Sequence, residues 1–278
     1  MERRRFMQLA GLGGVGLLTG LYTWQVEPFW LEFVYRKMKV KHLPKHLIGK
    51  TVMQISDMHV GNRFDYQYLI ESFQKAQKLN PEFVLYTGDF VNYEDAQQHT
   101  QLDEVLKHAV TGSKGTIGVL GNHDYGKEWS EDQVANKVVN QLSQAGITML
   151  RNEHINVDGL NFLGIDDYWA TNFKPEEAIQ HYKSDSPFIT LCHNPDVCDL
   201  DVWGEYKGWI LSGHTHGGQC KPPFLPPPML PVENDLYSSG EIDLKDGRML
   251  YINRAIGHLW QVRFNVRPEI TVFTLEMA

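Results

Sequence analysis

Residues 51–59 are Thr51-Val52-Met53-Gln54-Ile55-Ser56-Asp57-Met58-His59, a short apolar run that ends in an Asp and a His. Four further apolar runs are each followed at once by a polar motif. The five motifs are Asp57-Met58-His59, Gly88-Asp89, Gly121-Asn122-His123-Asp124, Cys192-His193-Asn194-Pro195 and Gly213-His214-Thr215-His216. Asp and His bind first-row divalent metals, and α/β sheets assemble their sites at the carboxyl ends of strands. The pattern therefore predicts one metal site that is built from five loops.

The rest of the chain after Gly49 alternates short apolar runs with amphipathic stretches, which is typical of an α/β domain. Apolar side chains at steps of three and four predict a helix within residues 65–80, ending before Pro81. Further helices are predicted at 101–110 and 131–145. Strands are predicted at 51–56, 83–87, 116–120, 148–150, 155–157, 161–165, 188–192, 209–211, 249–252 and 270–275. A sandwich of two sheets with flanking helices accommodates this number of strands.

Composition excludes several classes of protein. The chain has 278 residues, 42% of them hydrophobic, which favours one large globular domain, predicted at 43–278. Its formal net charge of −8 argues against a nucleic-acid scaffold, because such binding depends on Lys and Arg that neutralise phosphates. The three cysteines form no CxxC pair, so neither a disulfide framework nor a cysteine zinc site is indicated.

The N-terminal segment, residues 1–42, is predicted to be a signal or anchor followed by a basic linker. It contains Arg3-Arg4-Arg5-Phe6-Met7-Gln8 and then an uncharged run with five glycines, which resembles a bacterial twin-arginine export signal. No small-x-small cleavage site follows, which favours the hypothesis that the segment stays attached as an anchor. The uncharged run from Leu9 to Trp24 has about 16 residues, fewer than the roughly 20 that span a bilayer.

This segment predicts two partners, the twin-arginine translocation machinery and a membrane surface. The expected location is the bacterial inner membrane, with the domain on the periplasmic side. The basic stretch at 35–42 is interpreted either as a contact for anionic headgroups or as a plain solvated linker.

The ordered motifs of residues 51–216 resemble those of the calcineurin-like metallophosphoesterase superfamily. The export-type start, His193-Asn194-Pro195-Asp196 and Arg267-Pro268-Glu269 are also similar to the YaeI-type membrane-associated phosphodiesterases. One departure is Ala255, which stands where those relatives usually have a glycine. The resemblance implies a four-layer α/β/β/α sandwich of two mixed sheets flanked by helices.

The resemblance also implies a ligand set for two divalent metal ions. Asp57, His59 and His216 are expected at one metal, Asn122, His193 and His214 at the other, with Asp89 as the bridge. Mixed nitrogen and oxygen donors suit Mn, Fe, Zn or Co. Two such metals would hold a phosphoryl group and lower the pKa of a bound water.

Four further residues are candidates for other roles. His123 lies next to the ligand Asn122 without being assigned to a metal, so it is the expected general acid, with Asp124 orienting or charging it. Arg63 and Arg254 are candidates for binding substrate phosphate. Solvation or ordinary ion pairs explain these two arginines equally well.

The function expected from these features is hydrolysis of a phosphoric ester by a metal-dependent phosphodiesterase, on a substrate associated with a membrane. One alternative is a pyrophosphatase of lipid A metabolism that acts on UDP-2,3-diacylglucosamine. An alternative from another class is a non-catalytic metal-binding scaffold at the membrane. The loop at 221–231 has six prolines and several apolar residues, and it either contacts lipid or packs as an ordinary surface loop.

Overall fold

Two six-stranded sheets pack face to face in the computed structural model, which describes residues 3–61, 63–92 and 96–278. The strands are β1 (Glu32–Val40), β2 (Thr51–Ile55), β3 (Phe83–Thr87), β4 (Gly115–Val119), β5 (Thr148–Met149), β6 (Glu153–Val157), β7 (Leu160–Ile165), β8 (Phe188–Cys192), β9 (Trp209–Ser212), β10 (Gly240–Asp243), β11 (Met249–Ile252) and β12 (Glu269–Met277). The α-helices are α1 (Arg3–Gln25), α2 (Gln67–Gln77), α3 (Gln97–Leu106), α4 (Asp132–Gln144) and α5 (Pro175–Ile179).

Both sheets are mixed. Their strand orders are β1-β12-β2-β3-β4-β5 and β10-β11-β9-β8-β7-β6. Three neighbouring pairs are antiparallel, namely β12 with β2, β10 with β11, and β6 with β7. The remaining pairs are parallel, so β2, β3 and β4 end at the same edge of one sheet, as do β7, β8 and β9 in the other.

Helices and irregular segments cover the outer faces of the two sheets. Phe73 of α2, Leu102 of α3 and Val138 of α4 pack in one apolar cluster on the first sheet. Ala178 of α5 and Trp203 lie in the cluster on the outer face of the second sheet. A third cluster fills the space between the sheets. The expected sandwich of two mixed sheets flanked by helices is confirmed.

The basic stretch at 35–42 lies mostly in strand β1, so the interpretation of it as a linker is wrong. Strand β1 pairs in parallel with β12 along its whole length. Met38 and Val40 point into the space between the sheets, whereas Lys37 points outward and pairs with Glu276 at 2.7 Å. Charged residues on the outer side of an edge strand hide its period-two pattern from sequence inspection. The sheet therefore begins before residue 43.

Other elements differ in smaller ways from the sequence prediction. Helix α3 starts at Gln97 rather than 101, because Gln98 and His99 are buried and the His99 Nδ1 lies 2.7 Å from Gln141 Oε1 on α4. Apolar periodicity does not register such polar contacts. Helix α5 and strand β10 were not predicted. The loop at 221–231 is irregular, as expected. Within the described residues, every helix is too short or too weakly apolar to span a membrane.

Candidate metal centre

The metal site predicted from the five motifs lies at the edge where the parallel strands of both sheets end. Asp57 and His59 follow β2, Asp89 follows β3, Asn122 follows β4, His193 follows β8, and His214 and His216 follow β9. All seven residues are buried. The backbone φ angle is positive at five of them, Asp57, His59, Asp89, His214 and His216. Such values are uncommon outside glycine, and they aim each side chain back over the end of the sheet.

Glycines in the motifs allow these loops to approach one another closely. A Cβ atom at Gly121 would lie 2.2 Å from Asp89 Oδ1, and one at Gly213 would lie 2.2 Å from Asp57 Oδ2. Both distances are far below van der Waals contact. Each glycine therefore makes room for a carboxylate that another motif supplies.

One group of donors consists of Asp57, His59 and His216. The His216 Nε2 atom is 3.3 Å from Asp57 Oδ1, and the His59 Nε2 atom is 3.9 Å from the same oxygen. The two Nε2 atoms are 2.9 Å apart. One ligand atom from each residue lies within 4.8 Å of the others, which is close enough to hold a single metal ion.

A second group consists of Asp89, His193 and His214. The His193 Nε2 atom is 3.1 Å from Asp89 Oδ2 and 3.3 Å from His214 Nδ1. The Asp89 Oδ2 atom is also 3.5 Å from His59 Nε2, so this carboxylate lies between the two groups. Asp89 is thus in the position that a bridging ligand requires.

The contacts around these donors fit metal binding. The Oδ1 atom of Asn122 is buried and has no hydrogen-bond partner within the described part of the chain, although such an oxygen normally accepts a bond. The His193 Nδ1 is 2.7 Å from the Thr87 carbonyl and the His214 Nε2 is 2.9 Å from the Pro231 carbonyl. Donation to these carbonyls leaves the other ring nitrogen of each histidine as a metal ligand. The donor set of Asp, His and Asn suits first-row divalent cations.

Electrostatics within the cluster favour the ligand forms of several groups. Burial holds the pKa of His59 well below its usual value, and burial with the adjacent His193 lowers the pKa of His214 to about 3. Burial would raise the pKa of Asp89, but His193 and His123 hold it well below its usual range. Neutral imidazoles and an ionised carboxylate are the forms that bind metals.

His123 lies at the mouth of this cluster. Its ring centroid is 5.0 Å from that of His59, and its side chain is partly exposed. Its backbone N–H donates to Asp89 Oδ1 at 2.9 Å. Burial lowers the pKa of the His123 imidazole. The structure therefore brings together the expected acid and the expected metal ligands.

Asp124 has contacts that differ from the expected ones. Its carboxylate accepts hydrogen bonds from the backbone N–H groups of Phe90 at 2.8 Å, Val91 at 3.1 Å and Gly121 at 2.9 Å. These bonds join the loop after β3 to the loop after β4. Because the carboxylate is engaged by these backbone donors, the expectation that Asp124 orients or charges His123 stays a prediction. Asp124 positions the loop that carries His123.

The two candidate substrate arginines are engaged elsewhere. The Arg254 guanidinium pairs with Glu269 and, at 3.0 Å, with Glu32, so the expectation that it binds substrate phosphate is not supported by its contacts. Arg63 lies over the ring of Trp260, with 4.4 Å between the guanidinium carbon and the ring centroid. This contact neither supports nor contradicts binding of substrate phosphate by Arg63, so that role stays a prediction.

Sequence reasoning missed the two aspartates that directly follow β7. Asp166 and Asp167 follow Ile165 directly, and both are fully buried. Trp169, two residues later, has its ring edge against His214, with 4.4 Å between ring centroids. The signal was present, because an Asp pair after an apolar run is the same pattern that identified the other five motifs.

The fold and this convergence of donors define a metallophosphoesterase. Residues 50–218 match the model of the calcineurin-like phosphoesterase family, and the chain belongs to that family. It is therefore a hydrolase that acts on phosphoesters. Because members of this family use divalent metal ions, membership implies that this protein binds divalent metal as well.

Three relatives align with nearly the whole chain. The uncharacterized metallophosphoesterase YkuE of Bacillus subtilis is 29% identical, over 99% of this chain and 98% of that protein. The phosphodiesterase YaeI of Escherichia coli is 27% identical, over 99% of both. The UDP-2,3-diacylglucosamine pyrophosphatase LpxG of Chlamydia muridarum is 24% identical, over 96% of this chain and 95% of that protein.

Proposed function

We propose that this protein is a phosphodiesterase with two divalent metal ions. Asp57, His59 and His216 hold one metal, and Asp89 bridges to the second. The ligands of the second metal are Asn122, His193 and His214. The observation that carries the proposal is the convergence of buried Asp and His donors from both sheets in groups of three, with the ligand atoms of each group within 4.8 Å of one another.

When bound, the two metals would polarise the phosphoryl group and make water nucleophilic at neutral pH. Mn, Fe, Zn and Co all suit the donor set. The protein supplies orientation and proton transfer. The His123 backbone N–H holds the Asp89 carboxylate in place, and the imidazole of the same residue donates a proton to the leaving oxygen.

The choice of a phosphodiester is supported by the similarity to YaeI, and a diphosphate substrate by the similarity to LpxG. Both reactions place a phosphoryl centre at the metals, so loops farther out determine which substrate enters. The ring of Trp169 contacts His214 and stacks on the ring of Trp129, with 4.8 Å between the centroids of the two tryptophans. A non-catalytic scaffold is the less favoured alternative, because a scaffold has no need of His123.

A membrane-associated substrate is supported by the topology. Strand β1 is parallel to β12, and β12 is antiparallel to β2, so the chain enters β1 at the edge where β2 ends in Asp57. Helix α1 therefore joins the domain at the edge that carries the metal centre. The backbone carbonyls of Thr23 and Trp24 accept hydrogen bonds from Arg263 N and Gln261 Nε2.

Apolar side chains at this edge are exposed. Phe224, Met229 and Trp260 are all largely accessible to solvent. Gln219, three residues after His216, donates to the Trp260 carbonyl at 3.0 Å, which links Trp260 to the centre. Exposed aromatic and apolar residues of this kind suit the interface of a bilayer.

The location proposed for the protein is the inner membrane of a bacterium, with the domain on the periplasmic side after twin-arginine export. Arg3, Arg4 and Arg5 at the start of α1, ahead of the uncharged run from Leu9 to Trp24, support this proposal. A reporter enzyme fused after Ala278 tests it. Activity of a reporter that works only in the periplasm is expected, and activity only of a cytoplasmic reporter would favour a substrate in the inner leaflet.

The test of the catalytic proposal is metal content and hydrolysis of bis-p-nitrophenyl phosphate by the full chain, with Mn, Zn, Fe or Mg supplied in turn. We expect two metals per chain and turnover that Asp89→Ala abolishes together with metal binding. Asp185→Ala, at an exposed position, is the control and should behave as wild type. A folded wild-type protein that holds two metals and hydrolyses no phosphoester would favour the scaffold.

A further inference from the structure

Two buried carboxylates, which none of the five motifs contains, follow β7 at the edge of the sheet that carries the candidate metal centre. Ile165, the last residue of β7, pairs in register with Cys192, the last residue of β8. The residues that follow the two strands therefore lie side by side at the same edge. Extending this register places Asp166 beside His193 and Asp167 beside Asn194. Trp169, whose backbone N–H donates to Asp167, has its ring against that of His214, with 4.4 Å between centroids.

The two carboxylates have different surroundings. Asp166 is satisfied, because its Oδ2 accepts from Arg151 Nε at 2.9 Å and from Asn172 Nδ2 at 2.7 Å. Asp167 accepts one bond, from the Trp169 backbone N–H at 2.8 Å, and its Oδ2 has no partner within the described residues. Both side chains are fully buried. An unpaired buried carboxylate oxygen destabilises the protein unless something else compensates its charge.

The charge of the proposed metal centre explains why a buried carboxylate is favourable at this position. Two divalent cations bring four positive charges, whereas Asp57 and Asp89 bring two negative ones, and His and Asn ligands are neutral. A buried site with a net positive charge favours another carboxylate nearby. Burial together with the negative charge of Asp89 raises the pKa of Asp167 to about 7, against the opposing effect of His193.

We propose that Asp167 is a positioning residue of the metal centre, whose free carboxylate oxygen stabilises the cations held on the His193 side. The inference rests on the proposed metal-binding function. It predicts that Asp167 lowers the stability of the metal-free protein and raises its affinity for metal. A residue that only supports the fold would not have these opposite effects.

The experiment compares the full-length wild type with Asp167→Asn and Asp166→Asn. Each protein is stripped with a chelator, its Tm is measured, and Mn²⁺ is titrated in by calorimetry. We expect Asp167→Asn to bind Mn²⁺ about 10- to 100-fold more weakly, with a metal-free Tm no lower than that of the wild type. Asp166→Asn loses its bonds to Arg151 and Asn172, so its Tm should fall while its Mn²⁺ affinity stays within about threefold of the wild type.

Wild-type Mn²⁺ affinity in Asp167→Asn would overturn the inference and leave the proposed function intact. A fall in the metal-free Tm of Asp167→Asn to that of Asp166→Asn would also overturn it, since Asp167 would then be structural. A folded wild-type protein that binds no Mn²⁺, Zn²⁺ or Fe²⁺ would instead contradict the proposed function, and the role of Asp167 with it.

Discussion

Individual residues at the metal centre are held in backbone conformations that their own side chains disfavour. A positive φ at a residue other than glycine costs on the order of 1–3 kcal/mol and persists only where the surroundings impose it. Asp57, His59 and Asp89 are examples, each at the first turn after a strand. Hydrogen bonds from Asp57 N to the Gly88 carbonyl and from His59 N to the Asp89 carbonyl fix these turns. The rest of the fold therefore offsets the backbone strain that orients the metal donors.

At this scale, His123→Ala is expected to lower turnover by about 10² to 10⁴ while both metals remain bound. The backbone N–H that holds Asp89 is kept in this variant, so the metal ligands stay in place. Turnover should be measured on diesters with good and with poor leaving groups, alongside metal content. The loss should be larger for the poor leaving group, because only that group needs a proton. Equal losses for both substrates would contradict the assignment of His123 as the acid.

At the scale of elements, Arg254 joins three parts of the fold. It lies in the loop after β11 and pairs with Glu269 at the start of β12 and with Glu32 at the start of β1. Glu269 is buried and also accepts hydrogen bonds from the Tyr251 hydroxyl and Thr271 Oγ1. The ion pair thus fixes the edge strands at the end of the sheet that carries the metal centre.

Arg254→Ala is expected to lower the free energy of unfolding by about 3 kcal/mol, because it leaves the buried Glu269 without its cation. Arg267→Ala is the matched control. Arg267 is half exposed and its nearest approach to Glu32 is 3.8 Å, so its loss should cost less than about 1 kcal/mol. Denaturant unfolding measures both changes. A large rise in KM for Arg254→Ala without a change in stability would restore the substrate-binding role expected from the sequence.

At the scale of the whole molecule, helix α1 and the metal centre share one edge of the sandwich. The exposed residues Phe224, Met229 and Trp260 lie in loops at that edge, and Ile48, which precedes β2, lies at the opposite edge. A bilayer that binds α1 would therefore face the metal centre. The basic residues of β1 run away from this edge toward its end at Val40.

This arrangement predicts that the double variant Phe224→Ser with Met229→Ser binds vesicles of phosphatidylethanolamine and phosphatidylglycerol at least tenfold more weakly than the wild type. Each apolar side chain contributes roughly 1.5–3 kcal/mol when it leaves water. Sedimentation of the full chain with vesicles measures the change. Ile48→Ser is the control and should bind as the wild type does. Equal weakening by both changes would show that the centre does not face the bilayer.

The sequence by itself determined the class of fold and the chemistry of the site. Both depend on local patterns, because strands are short apolar runs and the residue that follows each strand necessarily lies at its end. The order of Asp, Asn and His motifs was therefore enough to predict a metal site and its family.

Only the tertiary structure decided which partners the other polar residues have. The sequence left the role of Arg254 open and missed the contacts of Asp124 and of strand β1, because their partners lie 15 to 237 residues away or on the backbone of another loop, and no local pattern encodes such pairs. Asp167 was overlooked although it follows an apolar run as the other motifs do. Its Oδ2 has no hydrogen-bond partner within the described residues, and such an unpaired atom is visible only when the tertiary contacts are known.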